Sequence, residues 1–176
     1  EGHQLYVICA AVGENEAFKA RDVNKMYINL SKLFYPRKVG MLHGQMSSDE
    51  KQSVMDAFAK NEIQILVSTT VVEVGMNVVN ATGMIIYDAD RFGLSQLHQL
   101  RGRIQRGNAV GKCWLLTDNK SEDVKERLNV LVKTTNGFEI SYEDLRLRGP
   151  GDILGTRQSG VPDLILGNLY EDTKMI

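Results

Sequence analysis

The densest chemistry in the chain lies in Gln99-Leu100-Arg101-Gly102-Arg103-Ile104-Gln105-Arg106-Gly107. Three arginines fall within six residues there, in a chain whose formal net charge is only -1. Arg103 and Arg106 stand three apart, the spacing that puts two side chains on one face of a helix. Paired guanidinium forks suit the oxygens of a transferring phosphoryl group, where charge spreads over several atoms. Gln99, one turn before Arg103, joins that face, and Gly102 thins the helix for close approach. The competing reading is a solvated basic helix surface. Position weighs against it, because the segment follows a strand-like run and a loop, where ligands gather on open sheets.

Other segments carry weaker signals. Ser68, Thr69 and Thr70 end an apolar run, where hydroxyls and free backbone N–H groups can bind a phosphate; turn and cap chemistry would use the same residues. His43-Gly44 ends another such run and suits close backbone approach, although a structural histidine would look the same. Three look-alikes are rejected. Gly107 to Cys113 is one residue short of a phosphate loop, has Cys where magnesium needs a hydroxyl, and leads into a strand instead of leaving one. The glycines at 149, 151 and 155 have the wrong spacing for a dinucleotide fingerprint. Met84-Ile85-Ile86-Tyr87-Asp88 resembles a metal-holding ATPase strand, but without a phosphate loop it has no nucleotide to serve. No self-sufficient ATP site is therefore expected.

These residues need elements to position them. Leu5 to Ala10 is a continuous apolar run, as in a strand covered on both faces. Val23, Met26, Tyr27, Leu30, Leu33 and Phe34 then recur at helical spacing until Pro36. Val39 to Leu42 is a second strand, and Ser47 with Glu50 forms a capping box for a helix with Val54, Met55 and Phe58 inside. Strands follow at 63–67, 84–87 and 113–116, with a helix from about Ser95 to Gln105. Ser121 caps another helix that buries Val124, Leu128, Leu131 and Val132. Such alternation implies an α/β fold, a parallel sheet with helices on both faces. From Thr134 the pattern changes. Ser141 to Asp144 caps one more short helix, and a glycine-rich stretch from Arg148 to Gly160 forms an ordered loop or appendage. The division is 1–133 and 134–176, and Leu164 to Ile176 reads as a helix without a terminator, so the chain is expected to be a piece of a longer one.

Composition narrows the classes further. Lys plus Arg is 21 against 22 for Asp plus Glu, which excludes nucleic-acid binding by bulk positive charge but leaves local patches. No apolar run approaches the roughly 20 residues that span a bilayer, and the opening residues lack a signal peptide's basic segment and apolar core. Cys9 and Cys113 both fall in strand-like runs and the histidines are isolated, so reduced thiols and no metal site are expected in a cytoplasmic setting.

The arginine segment resembles the sixth motif of superfamily 2 helicases, Gln-x-x-Gly-Arg-x-Gly-Arg, in the second of their two RecA-like lobes. Upstream, Ser68 to Asn77 is similar to the fifth motif, and Leu42-His43-Gly44-Gln45-Met46 with Glu50-Lys51 resembles the segment between the fourth and fifth. Arg91 to Arg103 is close to a signature of the RecG family of branch-migrating helicases and of the related transcription-repair coupling factors. Asp144 to Gly160 is similar to the RecG form of the translocation motif. Two positions depart from the motifs: Gln105 stands for a glycine, and Asn77 for the commoner Asp.

The resemblance implies a RecA-like lobe followed by a small helical and loop appendage. ATP and Mg²⁺ would be held mainly by a first lobe outside this chain. Arg106 would be the arginine finger, Arg103 a phosphate partner or sensor, and Gly75, Asn77 and Gln99 the nucleotide-side lining and link between lobes. His43, Gly44, Ser68, Thr69 and Thr70 would meet DNA. Arg148, Arg157 and Gln158 would couple turnover to movement. The implied partners are the first lobe, a wedge domain of the same chain and branched DNA, with the protein a monomer and the isolated lobe inactive. The alternatives are the corresponding lobe of a transcription-repair coupling factor and a non-catalytic binding module on the same fold.

Overall fold

In the computed structural model the structure describes residues 2–10, 16–69, 78–104 and 111–148. The apolar run at the start becomes β1 (Gln4–Cys9), followed by α1 (Glu16–Leu33), β2 (Val39–Leu42), α2 (Ser48–Ala59), β3 (Ile65–Thr69) and β4 (Ala81–Tyr87). A short 3-10 helix (Ala89–Arg91), α3 (Leu94–Arg101), β5 (Lys112–Leu115), α4 (Glu122–Lys133) and α5 (Gly137–Arg148) complete the order. The five strands form one sheet in the order β2-β3-β1-β4-β5, and every pairing is parallel.

Alternation along each strand divides the apolar side chains between two faces. Val7, Cys9, Ile65 and Val67 pack with Val23 and Leu30 of α1. Tyr6, Ile8, Leu42, Leu66, Met84 and Ile86 form the larger core with residues from α2, α3, α4 and α5. Both faces of the central strands are thus covered, which explains why their sequences are unbroken apolar runs. Phe58 is fully buried there and meets the Tyr6 ring with centroids 5.0 Å apart. Gln4 ties the same end of β1 to α2, donating from Nε2 to the carbonyls of Phe58 and Ile63 at 2.5 and 2.7 Å.

Local chemistry sets the helix ends. The Ser47–Glu50 capping box forms as expected, with Glu50 N donating to Ser47 Oγ at 3.2 Å and Ser47 N to Glu50 Oε2 at 2.8 Å. Such a cap contributes about 1 kcal/mol. Ser121 Oγ accepts from Val124 N at 3.4 Å, as its position predicts.

Three local expectations are corrected. Leu33 and Phe34 are exposed, because they lie where α1 ends and the chain turns toward β2. Val132 is 77% exposed while Val130 is buried, since α5 packs beside α4 and rotates its covered arc toward Val130. Ser141 caps nothing; it lies inside α5, whose first turn is satisfied instead by Asn136, with Phe138 N donating to Asn136 Oδ1 at 3.0 Å.

Cys9 and Cys113 are free thiols, and burial pushes each up to about 11. Among the described residues no helix is long and apolar enough to cross a membrane.

Candidate functional site

Because all five strands are parallel, their carboxyl ends share one edge. His43-Gly44 leaves β2 there, Thr69 ends β3, and Asp88 follows β4. The helices that follow β1 and β4 lie on opposite faces of the sheet, so the crevice at the ends of this adjacent pair is the topological switch point. Asp88 closes β4 in the left-handed region at φ 48, uncommon for a residue with a side chain.

At this edge the candidate nucleic-acid residues differ in access. His43 is partly buried, its Nδ1 is buried without a hydrogen-bond partner among the described residues, and its charge helps hold the Glu50 carboxyl low after the two Ser47 bonds. Gly44 is exposed, and its carbonyl accepts from Lys51 Nζ at 3.0 Å. Ser68 and Thr69 are buried inside β3, paired with Ile8 and Cys9, and Ser68 Oγ donates to the Thr69 carbonyl at 3.1 Å. Their backbones serve the sheet. Thr70, Gly75 and Asn77 lie outside the described residues.

The arginine segment is placed differently from its expected geometry. After β4 the chain passes Asp88, the 3-10 helix and Gly93, and α3 starts at the carboxyl edge. Leu94 and Leu97 anchor α3 in the core, and Ile104 anchors the turn behind it. The helix ends at Arg101, not near Gln105. Arg103 N and Ile104 N then bond to the carbonyls of Leu100 and Arg101 at 3.0 and 3.2 Å, a tighter three-residue turn that begins at Gly102. The helix expected to carry Arg103 and Arg106 on one face therefore stops short of Arg103, and Arg106 lies outside the described residues.

Arg103 also stands at the other end of α3 from the switch point. Ile104 packs against Gly111, which directly precedes β5 at the amino edge of the sheet. A Cβ on Gly111 would come within 2.4 Å of the Ile104 carbonyl oxygen, so only glycine allows this contact. Arg103 is exposed, and its charge reaches Tyr6, where it offsets part of the burial that pushes that phenol up to about 12. Gln99 is exposed and lines a shallow groove with His98, Asn136 and Phe138, so it faces α5.

The sequence reading missed the inward role of Arg101 and did not single out Arg127. Arg101 is turned inward and 9% exposed. Its guanidinium donates to the Leu131 carbonyl, to the Thr134 carbonyl from both Nη atoms at 3.2 Å, and to His98 Nδ1 at 3.0 Å. Arg127 of α4 donates to the carbonyls of Phe92, at 3.1 Å, and Asp90. Sequence offered one signal for Arg127: it falls on the arc of α4 that also carries Leu128 and Leu131. Arg148 ends the backbone of α5, while Arg157 and Gln158 lie outside the described residues.

Of a nucleotide's needs, the described residues fit one half. Arg103 offers an exposed cation, but among the described residues no strand leads into a helix through a phosphate-loop sequence ending in Gly-Lys-Ser or Gly-Lys-Thr. Nor do three or more His, Cys, Asp or Glu gather, among the described residues, as a metal site would require.

Comparison with known proteins covers nearly the whole chain. Residues 2–108 match the helicase conserved C-terminal domain, and residues 134–176 match the family described as ATP-dependent DNA helicase RecG, domain 3, C-terminal. The ATP-dependent DNA helicases RecG of Staphylococcus aureus (strain NCTC 8325 / PS 47) and Bacillus subtilis (strain 168) are each 50% identical over 177 residues. That alignment covers 100% of this chain and 26% of each relative, so the chain spans about a quarter of their length. The structure of RecG bound to a three-way DNA junction superposes with a TM-score of 0.71 at 39% identity, over 99% of this chain and 22% of that one. The C-terminal domain of the DEAD-box protein Dbp5 shares the fold, with a TM-score of 0.57 at 15% identity over 81% of this chain and 83% of that one.

Proposed function

The chain belongs to the helicase conserved C-terminal domain family, and we propose that it works as the second motor lobe of an ATP-dependent DNA helicase of the RecG type. Its fold is α/β and RecA-like. The observation that carries the reading is one chain that joins an arginine-bearing turn after α3 to a RecG-type unit over 134–176. That unit favours RecG over the transcription-repair coupling factors. The division proposed is a lobe over 1–133 and a translocation appendage over 134–176, acting on branched DNA within a monomeric, cytoplasmic protein that also carries a first lobe and a wedge domain.

The chemistry follows from what this lobe has and lacks. ATP with Mg²⁺, held by the first lobe, would supply the free energy of phosphoryl transfer to water. Arg106 would act as the finger that stabilises charge developing on the transferred group, an effect of about 10³–10⁵ in rate. Arg103 would pair with or sense the phosphate, Gly75 and Asn77 would line the cleft, and Gln99 would link the lobes. DNA phosphates would meet the carboxyl edge at His43, Gly44 and Thr70, while Ser68 and Thr69, buried in β3, would fix the position of that edge. Arg103 at one end of α3 and this edge at the other would keep the two phosphate-binding tasks apart.

The test has two arms. The chain alone, with forked DNA, should release no phosphate above background. In the complete protein, Arg106→Ala should cut DNA-stimulated turnover at least about a hundredfold with forked-DNA affinity unchanged, because a finger acts on the transition state and adds little to ground-state binding. Turnover by the chain alone, or full activity in Arg106→Ala, would sink the two-lobe reading.

A further inference from the structure

Arg101 lies two residues before Arg103 yet points the other way, into the corner between α4 and α5. Its acceptors are a carbonyl in the last turn of α4, Leu131, and that of Thr134, the residue after the helix. Late carbonyls of a helix lack intrahelical partners and carry the negative end of its dipole, so a buried cation is well received there. A guanidinium only donates; His98 Nδ1 must therefore accept, with the ring proton on Nε2. That Nε2 faces Gly137, the first residue of α5, where an added Cβ would lie 3.3 Å away. Among the described residues Arg101 Nε has no partner. A leucine or methionine would fill the space without desolvating a charge, so packing alone does not account for arginine here.

On the reading of the chain as a motor lobe, we propose that Arg101 is a positioning residue that makes the α4–α5 corner follow the arginine turn. Arg103 follows Arg101 by two residues in the turn that ends α3, and the Arg101 fork grips Thr134, in the segment that leads directly into α5. α5 in turn carries Asp144 to Arg148, the start of the translocation-motif resemblance. A shift of Gly102–Arg103 on phosphate release is thus transmitted toward α5 through the Leu131 and Thr134 carbonyls held by one planar group, which His98 of α3 braces. Lysine, a point charge, would keep the cation and lose the fork.

The experiment uses the complete helicase on forked DNA, with ATP turnover, strand displacement and melting temperature measured in parallel. Arg101→Lys should keep DNA-stimulated turnover within about threefold of the unsubstituted protein and lose at least about tenfold in duplex unwound per ATP. His98→Phe, which keeps a ring and removes the acceptor at a half-buried site, should shift the same ratio by about threefold. Should Arg101→Lys fail to fold, His98→Phe decides. A merely structural Arg101 lowers the melting temperature and reduces both activities in proportion; an unchanged ratio in the variants overturns the inference. If Arg106→Ala abolishes turnover while that ratio stays intact, only the role of Arg101 falls. If the unsubstituted protein shows no DNA-stimulated turnover, the motor reading itself falls.

Discussion

Thr117 donates its hydroxyl to Asp90 Oδ1 at 2.5 Å, and this bond, ahead of every other influence, holds the Asp90 carboxyl below the usual carboxylate range. Ala89 N meanwhile donates to the Leu116 carbonyl at 2.9 Å, and Arg127 grips the carbonyls on either side of Arg91. The loop that launches α3 is therefore fastened to the segment after β5 and to α4. A carboxyl whose folded pKa is lowered adds stability above its unfolded value and loses it as pH falls through the folded one. Thr117→Val should consequently lower the urea midpoint most at neutral pH, and the gap to the unsubstituted chain should narrow as pH drops below about 3.9. A gap of constant width down to strongly acidic pH would mean that Thr117 acts through packing and its bond to Asn119 N alone.

At the scale of elements, one glycine inside the arginine segment and one beyond it serve opposite purposes. Gly102 has ordinary right-handed helical dihedrals at φ -61, and a Cβ there would find its nearest neighbours at 3.4 and 3.5 Å. Nothing in the described lobe demands glycine at that position, whereas Gly111 stands hard against the Ile104 backbone. Gly102→Ala should raise the stability of the chain by about 0.4–1 kcal/mol by restricting the unfolded ensemble. Gly111→Ala should lower it by more than that, since Ile104 must move from its buried site. Urea denaturation of the two variants checks both signs. If Gly102→Ala also depresses ATP turnover in the complete protein, close approach by the first lobe is what glycine serves there; stability and activity rising together would argue against it.

For the molecule as a whole, the described residues leave apolar surface on one flank. Phe138, Tyr142 and Leu145 form an exposed stripe along α5, while Ile140 on the opposite side is buried in the main core. Among the described residues α5 meets the lobe through Ile140 in the core and through Arg146, which donates to Glu126 of α4 at 3.0 Å, an arrangement that would suit an element passing motion onward. Gln158→Ala in the complete protein should reduce fork unwinding far more than ATP turnover, because on the proposed reading the segment beyond α5 would transmit displacement and would not touch phosphate. Parallel rates decide the matter: equal loss of both activities would place Gln158 in the chemistry, and loss of neither would remove it from the motor.

Sequence by itself determined the parts that depend on neighbours in the chain. Period and apolar runs gave the strand and helix order, Ser47 with Glu50 gave the start of α2, and motif order pointed to a superfamily 2 lobe whose own residues fall short of an ATP site. What only the tertiary structure decided concerns distance and direction. Spacing suggested that Arg103 continues a helix, but the end of α3 depends on Ile104 seating beside Gly111, across a segment that local propensity does not see. Asn136 took the cap that Ser141 seemed placed to give, because α5 had to begin where Ile140 could reach the core. Arg101 looked like one more cation of a basic run. Its inward turn required acceptors 30 and 33 residues away at Leu131 and Thr134, which come within reach only when α4 folds back over α3. Hydrogen-bonding capacity is written in a residue's type, but the partner that uses it is a property of the packed molecule.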